Sequence, residues 1–539
     1  MSDKGLHEFQ SPRANGQEMQ PPGDPLGPVT SRSDLFARNL TATYITKGLE
    51  IVIGLVLLPF NISYLGPSVY GLWMIAATIP AYFSIFDLGY GVAQVKFVAK
   101  YRARGDLDGL NEIVSTLFVV FSVIGMIIFL GAVLLAFNLG LIFDLTPEQA
   151  VTGRNVLILL SAYVAIGFPF SVFGGVVNGF QRNYLNGIVS IVTTITVAVV
   201  NVLVLMAGYG LVELVAATTS VRILAYIGYR ISAYKAFPGL SIRLGSTRAQ
   251  RLREVTGFSV FILLIDLANK INYSTDIPVI GAFLGVGAVA VWVVAQRLIN
   301  MTQDLTTQVS GALFPVVVDV ATMNETVNLR ELFLRGTRLS LAMVIPVALT
   351  LALLADSLIL AWVGEDFLES VPLIWILAAA VIIRVGTSTA TTVLKGAGQH
   401  SFLTWANIGM AVTNLTLSIA LVRPLGMIGV ALGTLISQAT VSLLLLFPRA
   451  CRRVDTRLVD AFKLGIWPSI WPFVPVGILL ASSHTILGPG LLGVAVMSLI
   501  AGGLYSTLFL LLAIDRNERD WYIGKVKKLA GWRTVVPAE

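Results

Sequence analysis

The sequence predicts an all-α, polytopic membrane protein of about 14 transmembrane helices: two parallel six-helix repeats plus two extra C-terminal helices. Three observations carry this. Of 539 residues, 56% are hydrophobic and 12% charged, where a soluble domain carries about 25% charged, and mean hydropathy is +0.81. Apolar runs of about 20–25 residues alternate with short polar breaks. The first half also resembles the second. A chain so apolar cannot cover a water-facing surface, which excludes a soluble enzyme.

Residues 1–37 are polar, rich in Pro, Gly and Ser, and read as a disordered cytoplasmic tail. No apolar run precedes Leu40, so no cleaved leader is expected and the first run is a retained helix. The spans then read as 38–62, 69–94, 112–138, 154–178, 184–207 and 210–234 in the N-terminal bundle (38–234). The C-terminal bundle (255–448) holds 255–280, 284–318, 334–358, 371–394, 401–422 and 425–448. Spans 464–486 and 489–513 form the added pair, and 514–539 is a basic cytoplasmic tail. Within it, DWYIGKVKKLAGW mixes aromatics with lysines and fits either an interfacial helix or a solvated tail.

Lys and Arg placement orients the chain. With both termini cytoplasmic, the inner segments collect Lys96, Lys100, Arg102 and Arg104, then Arg243, Arg248, Arg251 and Arg253, then Arg449, Arg452, Arg453 and Arg457. Only Arg154 and Arg423 fall at outer edges. The net charge of +7 therefore follows membrane topology, and nucleic acid is not an expected partner. One cysteine, Cys451, excludes an internal disulfide, and three scattered histidines give no metal-ligand spacing. No cofactor, metal site or catalytic residue is expected.

The repeat shows in register. LGPSVYGLWMIAATI (65–79) aligns with LGVGAVAVWVVAQRL (284–298), pairing Trp73 with Trp292 and Ala76 with Ala295. The same ungapped offset of 219 pairs Pro59 with Pro278 and Glu112 with Glu331. NGFQR (178–182) then resembles KGAGQ (395–399). An even number of helices per repeat relates the halves by an axis along the membrane normal, an arrangement that binds substrate between the halves and works by rocking. Pro80, Pro169, Pro278, Pro346, Pro468, Pro472 and Pro475 interrupt the spans and permit bends.

A charge at mid-bilayer costs about 2.5–3.5 kcal/mol on insertion scales, so intramembrane ions face a cavity or a partner. Arg297, Lys47, Arg222, Lys270 and Arg384 fall at such depths and are candidates for a cavity that binds an anion. Arg297, Arg222 and Arg384 have no acid one turn away in mid-helix, whereas Lys47 with Glu50 and Asp266 with Lys270 share a face. Asp266, Asp276, Glu50 and Asp87 are candidates for cation coupling or charge balance, with Asp87 more readily a cap or loop partner than a coupling site.

YLGPSVYGLWMIAATIPAYFSIFDLGYGVAQVKFVAKYRARGD (64–106) resembles the second-helix signature of the polysaccharide-export branch of the multidrug/oligosaccharidyl-lipid/polysaccharide (MOP) flippase superfamily, in LGPxxYG, DLGYG and the basic loop that follows. VWVVAQRL and NGFQR fit the same pattern, over about 35–450. The resemblance implies a Wzx-like oligosaccharide flippase, related more distantly to MurJ-type lipid II flippases and MATE exporters. It implies no enzyme, and translocation of a polyprenyl-pyrophosphate-linked glycan from the inner to the outer leaflet of the cytoplasmic membrane. Membrane lipid and a polysaccharide polymerase complex are the further partners it implies. The family's cationic cavity maps onto Arg297 and Lys47, and the added helix pair, with Trp467 and Trp471, borders a groove for the lipid tail in MurJ-like relatives. Lysine at 47 and a second span without arginine weigh against lipid II. A cation-coupled MATE-like exporter is the main alternative and would favour an acidic cavity lining.

Overall fold

Chain chemistry sets the helix ends. In the computed structural model, which describes residues 32–83, 90–243, 245, 267, 270–322, 326–483, 490–516, 518 and 519, the first half runs as α1 (Arg32–Leu65), α2 (Pro67–Phe83), α3 (Tyr90–Arg104), α4 (Leu107–Phe137), α5 (Pro147–Gly179), α6 (Asn183–Met206) and α7 (Leu211–Ala236). Asp106 caps α4, its carboxylate accepting from the Gly109 amide at 2.8 Å. Thr146 and Gln149 form a reciprocal capping box at α5, with Pro147 at the first helical position. Helices of 31 and 33 residues at 1.5 Å per residue reach about 45–50 Å, enough to cross a bilayer and project beyond it.

The second half continues as α8 (Asp276–Leu284), α9 (Val286–Thr322), α10 (Thr326–Leu353), α11 (Ser370–Gly386), α12 (Ser388–Gly396) and α13 (His400–Ala439). Most of span 255–280 lies outside the described residues. Ten described helices are long and apolar enough to cross a membrane. One such helical path, His400–Arg453, folds back on itself. Gly426 takes φ +60°, the Thr434 hydroxyl meets Asn414 Oδ1 at 3.4 Å, and a Cβ on Gly433 would lie 2.7 Å from Ser418 Oγ. Residues 418 and 433 can touch only across a hairpin, so two antiparallel segments meet here, as spans 401–422 and 425–448 require. The outer faces are apolar and bare: Leu134, Leu141 and Leu492 are 70%, 85% and 81% exposed, which only a lipid surround accommodates.

The apolar cores explain the shape. At the end bearing the α1–α2, α4–α5 and α6–α7 turns, one shared core joins both halves, from Leu58, Leu72, Ile75 and Leu214 to Val289, Trp292, Ile345 and Leu377. At the opposite, basic end the halves keep separate cores. One holds Phe97, Leu117, Val176 and Phe237; the other holds Phe333, Val393, Met410 and Phe447. Among the described residues, the two halves thus share a core at one end and keep separate cores at the other.

The seal is tight at α2 and α9. A Cβ on Gly71 would lie 1.8 Å from the Val286 carbonyl oxygen and 3.4 Å from the Ala290 amide. Ala290 is the partner of Gly71 at the 219-residue offset. The turns that open these two helices match as well: Gly66 and Gly285 hold φ +78° and +85°. In the 178–182 and 395–399 loops, Gln181 and Gly398 both take positive φ, +59° and +73°.

The added helices, α14 (Phe473–Ser483) and α15 (Leu491–Leu508), pack on α10 in the second half. Arg338 of α10 pairs with the buried Glu518 and donates to the Leu464 carbonyl through Nε at 3.0 Å and Nη2 at 2.6 Å. That carbonyl belongs to a π-helical turn, Ala461–Ile466. The same region is tied by Ser469 donating to the Arg338 carbonyl and Tyr505 donating to the Ser469 carbonyl. These bonds make the C-terminal pair part of the second half.

Candidate functional site

Between the halves, α1 and α9 cross. Arg297 reaches from α9 to α1, where its Nη2 donates to the Glu50 carbonyl at 2.9 Å. Gly54 creates the room: a Cβ there would lie 1.5 Å from the same Nη2. One turn from this contact Lys47 Nζ bonds Glu50 Oε2 at 2.8 Å, the side chains being 52% and 40% exposed. Arg297, Glu50 and Lys47 thus meet where α1 and α9 cross. Arg222 is exposed, and Tyr226, one turn further along α7, stacks between Tyr163 and Phe170 with centroids 5.8 and 5.3 Å away.

The second half holds a different site. A cavity of about 70 Å³ between α8, α9, α11 and α13 is lined by Tyr273, Asp276, Gln296, Gln303, Arg384 and Thr434, among others. Arg384 donates from Nη1 to Gln303 Oε1 at 2.6 Å, and its guanidinium carbon lies 3.5 Å from the Tyr273 ring centroid. Asp276 is 5% exposed. Its Oδ1 lacks a hydrogen-bond partner, as do Asn272 Oδ1 and Trp292 Nε1 beside it. Buried polar atoms left unpaired cost about 1–3 kcal/mol each, and here they are two acceptor oxygens and one indole donor. The lining combines the Asp276 carboxylate with amide and hydroxyl groups and the Arg384 guanidinium, and no group of three or more His, Cys, Asp and Glu side chains exists among the described residues.

The predicted cations therefore divide. Arg297 and Lys47 meet at Glu50 where α1 and α9 cross, Arg222 is exposed on α7, and Arg384 turns into the cavity with Asp276. Lys270 is half-buried and does not line that cavity. Asp266 and Asp87 lie outside the described residues. Sequence reading missed Gln296, Asn300 and Gln303, which stand four and three residues apart on the cavity face of α9. Their helical spacing was the available signal. Tyr273, Asn272 and Thr434 carried none, because single polar residues in apolar spans are common.

The likenesses to known proteins bear on this geometry. A profile of the polysaccharide biosynthesis protein family matches residues 36–321. The chain belongs to that family. It is 22% identical to the succinoglycan biosynthesis transport protein ExoT of Rhizobium meliloti (strain 1021), over 70% of this chain and 72% of that one. It is 24% identical to the probable flippase AglR of Haloferax volcanii, over 48% of this chain and 53% of that one. Among solved structures, lipid II flippase MurJ in an inward closed conformation superposes with a TM-score of 0.68 over 87% of this chain and 98% of that chain, at 16% identity. An inward-facing MATE multidrug transporter of the MOP superfamily gives 0.63, over 75% of this chain and 94% of its own, also at 16% identity. The family member thus has the all-helical fold of polytopic MOP transporters.

Proposed function

We propose that this family member is a flippase that carries a polyprenyl-pyrophosphate-linked oligosaccharide from the inner to the outer leaflet of the cytoplasmic membrane by alternating access, with both termini cytoplasmic. The single observation that carries the reading is the cleft: two halves sealed through one shared core, with separate cores beyond it among the described residues, and Arg297 and Lys47 at the α1–α9 crossing between them. If the basic end is cytoplasmic, the cleft opens to the side on which such a lipid is made. An anionic, sugar-laden head needs a polar cationic path, and the isoprenoid tail can stay in lipid. Guanidinium groups match phosphate oxygens bidentately. The contact between Gly71 and Ala290, equivalent residues of the two repeats, supports an axis between bundles 38–234 and 255–448 about which they rock.

The mechanism needs no covalent step. Arg297 holds α1 through one charge-assisted bond to a backbone carbonyl, worth about 1.5–3 kcal/mol. A pyrophosphate entering the cleft competes for the same guanidinium, so binding and the release of α1 from α9 become one event. Lys47 and Glu50 neutralise each other when the cleft is empty, and the anion draws Lys47 away. Asp276, in its own cavity, is the candidate coupling group: a cation bound there satisfies Oδ1 and alters the packing of α8 against α13. Familial naming supports a glycan as cargo, since ExoT and AglR bear names of glycan transport and flipping. A polysaccharide polymerase would receive the flipped unit.

The test is flipping in proteoliposomes of a labelled polyprenyl-pyrophosphate oligosaccharide by wild type and Arg297→Ala. The variant is expected to lose at least about tenfold in rate while keeping wild-type yield, its thermal midpoint lowered by loss of the bond to α1. Wild-type flipping by the variant removes Arg297 from the site. The Asp276 cavity favours one second reading, a cation-coupled exporter of small molecules, which is distinguished by cation-driven dye efflux without any flipping.

A further inference from the structure

Outside the cleft, at the basic end of the second half, the helical continuation of α13 (Thr440–Arg453) and the residues that open α13 line a groove of about 430 Å³. Its polar wall is Arg449, Arg452 and Arg453, with Gln399 from the start of α13. Its apolar wall is Phe402, Leu444 and Leu445. No acidic side chain lines it among the described residues.

The groove is more than a set of topology-setting charges. Arg449 Nε donates to Gln399 Oε1 at 2.6 Å, and its guanidinium carbon lies 4.2 Å from the Phe402 ring centroid. These two contacts fix the plane of the guanidinium and leave its Nη edge for an incoming acceptor. Below it the helix is π-wound over Thr440–Leu446, a winding frequent at functional sites, and Leu444 and Leu445 stand 68% and 46% exposed. Five residues separate Leu444 from Arg449, about 6–8 Å along the axis, close to the thickness of one headgroup layer. Trp405, one turn beyond Phe402, is 72% exposed and marks the membrane–water boundary, where tryptophan concentrates.

We propose that this groove binds one anionic phospholipid of the surrounding leaflet, its phosphodiester between Arg449, Arg452 and Arg453 and one acyl chain along Leu444 and Leu445. Basic pockets between membrane helices select anionic headgroups by charge and by bidentate geometry. The site is separate from the residues of the proposed transport path, sharing no lining residue with the Asp276 cavity or the Arg297 contact, and it stands whatever the cargo is. A lipid held there would brace the hairpin end against the bilayer.

The experiment is native mass spectrometry of the full chain, extracted from nanodiscs containing equal phosphatidylglycerol and phosphatidylcholine. Wild type is expected to retain one phosphatidylglycerol in preference to phosphatidylcholine by about tenfold. The variant carrying Arg449→Lys, Arg452→Lys and Arg453→Lys keeps every charge, and so its topology, but loses the planar fork. It is expected to lose the preference at an unchanged thermal midpoint. Arg243→Lys, at the same end of the other half, is expected to behave as wild type. Equal retention of the two lipids by wild type, or an undiminished preference in the triple variant, overturns the proposal. So does displacement of the phosphatidylglycerol by polyprenyl pyrophosphate at equal concentration, which would make the groove a cargo site.

Discussion

Adding a single methyl group at Gly71 tests the rocking reading at its tightest point. A Cβ at 71 would lie 1.8 Å from the Val286 carbonyl oxygen, where carbon and oxygen normally stay about 3.3–3.6 Å apart. The obstacle is backbone, so no rotamer relieves it, and α2 and α9 must separate by roughly 1.5 Å. Overpacking of this kind costs about 1–3 kcal/mol, a shift of roughly 5–150-fold against the sealed arrangement. Because α2 and α9 belong to different halves, the strain is relieved by parting them and not by unfolding either one. The reporter is Ile75→Cys in a Cys451→Ala background, which removes the only native thiol. Ile75 is 1% exposed, and its Cδ1 lies 2.6 Å from where a Cβ on Gly281 of the other half would stand. Gly71→Ala is expected to raise the rate at which a water-soluble thiol reagent labels residue 75 by a factor in that range. An unchanged labelling rate in a folded, wild-type-like Gly71→Ala protein would falsify the idea that this seal is a mobile interface.

Two further outcomes follow from local geometry. Gln181 holds φ +59° where its repeat equivalent is Gly398. A left-handed conformation costs a non-glycine residue about 1–2 kcal/mol, partly offset by glycine's larger unfolded entropy. Gln181→Gly is therefore expected to raise the thermal midpoint slightly and Gly398→Gln to lower it; the opposite order would show that the loop is held by side-chain bonds instead. At Asp276, sodium chloride is expected to raise the wild-type midpoint relative to choline chloride, since a ligand at 100 times its dissociation constant adds about 2.7 kcal/mol. Asp276→Asn is expected to abolish the difference, and equal responses of the two proteins would remove Asp276 from cation binding.

Much of the architecture was legible because a bilayer reduces folding to one-dimensional rules. Span length, basic loops and a 219-residue offset can be counted along a chain. The match of Gly66 with Gly285 was visible as letters and returns as two positive φ angles of 78° and 85°. The hairpin between spans 401–422 and 425–448 was visible too, although helical dihedrals run almost unbroken through it and only Gly426 turns the chain. What could not be read was direction around each helix axis. Arg297 and Gln296 are neighbours in sequence, at equal depth, yet one points to α1 and the other into the Asp276 cavity.

That difference in direction reorganises the candidate site. Depth alone grouped Arg384 with Arg297 as parts of one cationic chamber. Packing separates them, because Arg384 is held by Tyr273 and Gln303 within the second half, while Arg297 spans the two halves. The Asp276 cavity is confined to one half and the Arg297 contact is shared between halves; under the proposed function these are the places for a coupling cation and for the anion. The first can change the shape of its own half, and the second registers how far apart the halves stand. Arg297 can do both jobs only because residue 54 is glycine: any side chain there would occupy the guanidinium's seat on α1. Gly54 and Arg297 thus form one functional unit contributed by both repeats, and neither residue alone discloses it.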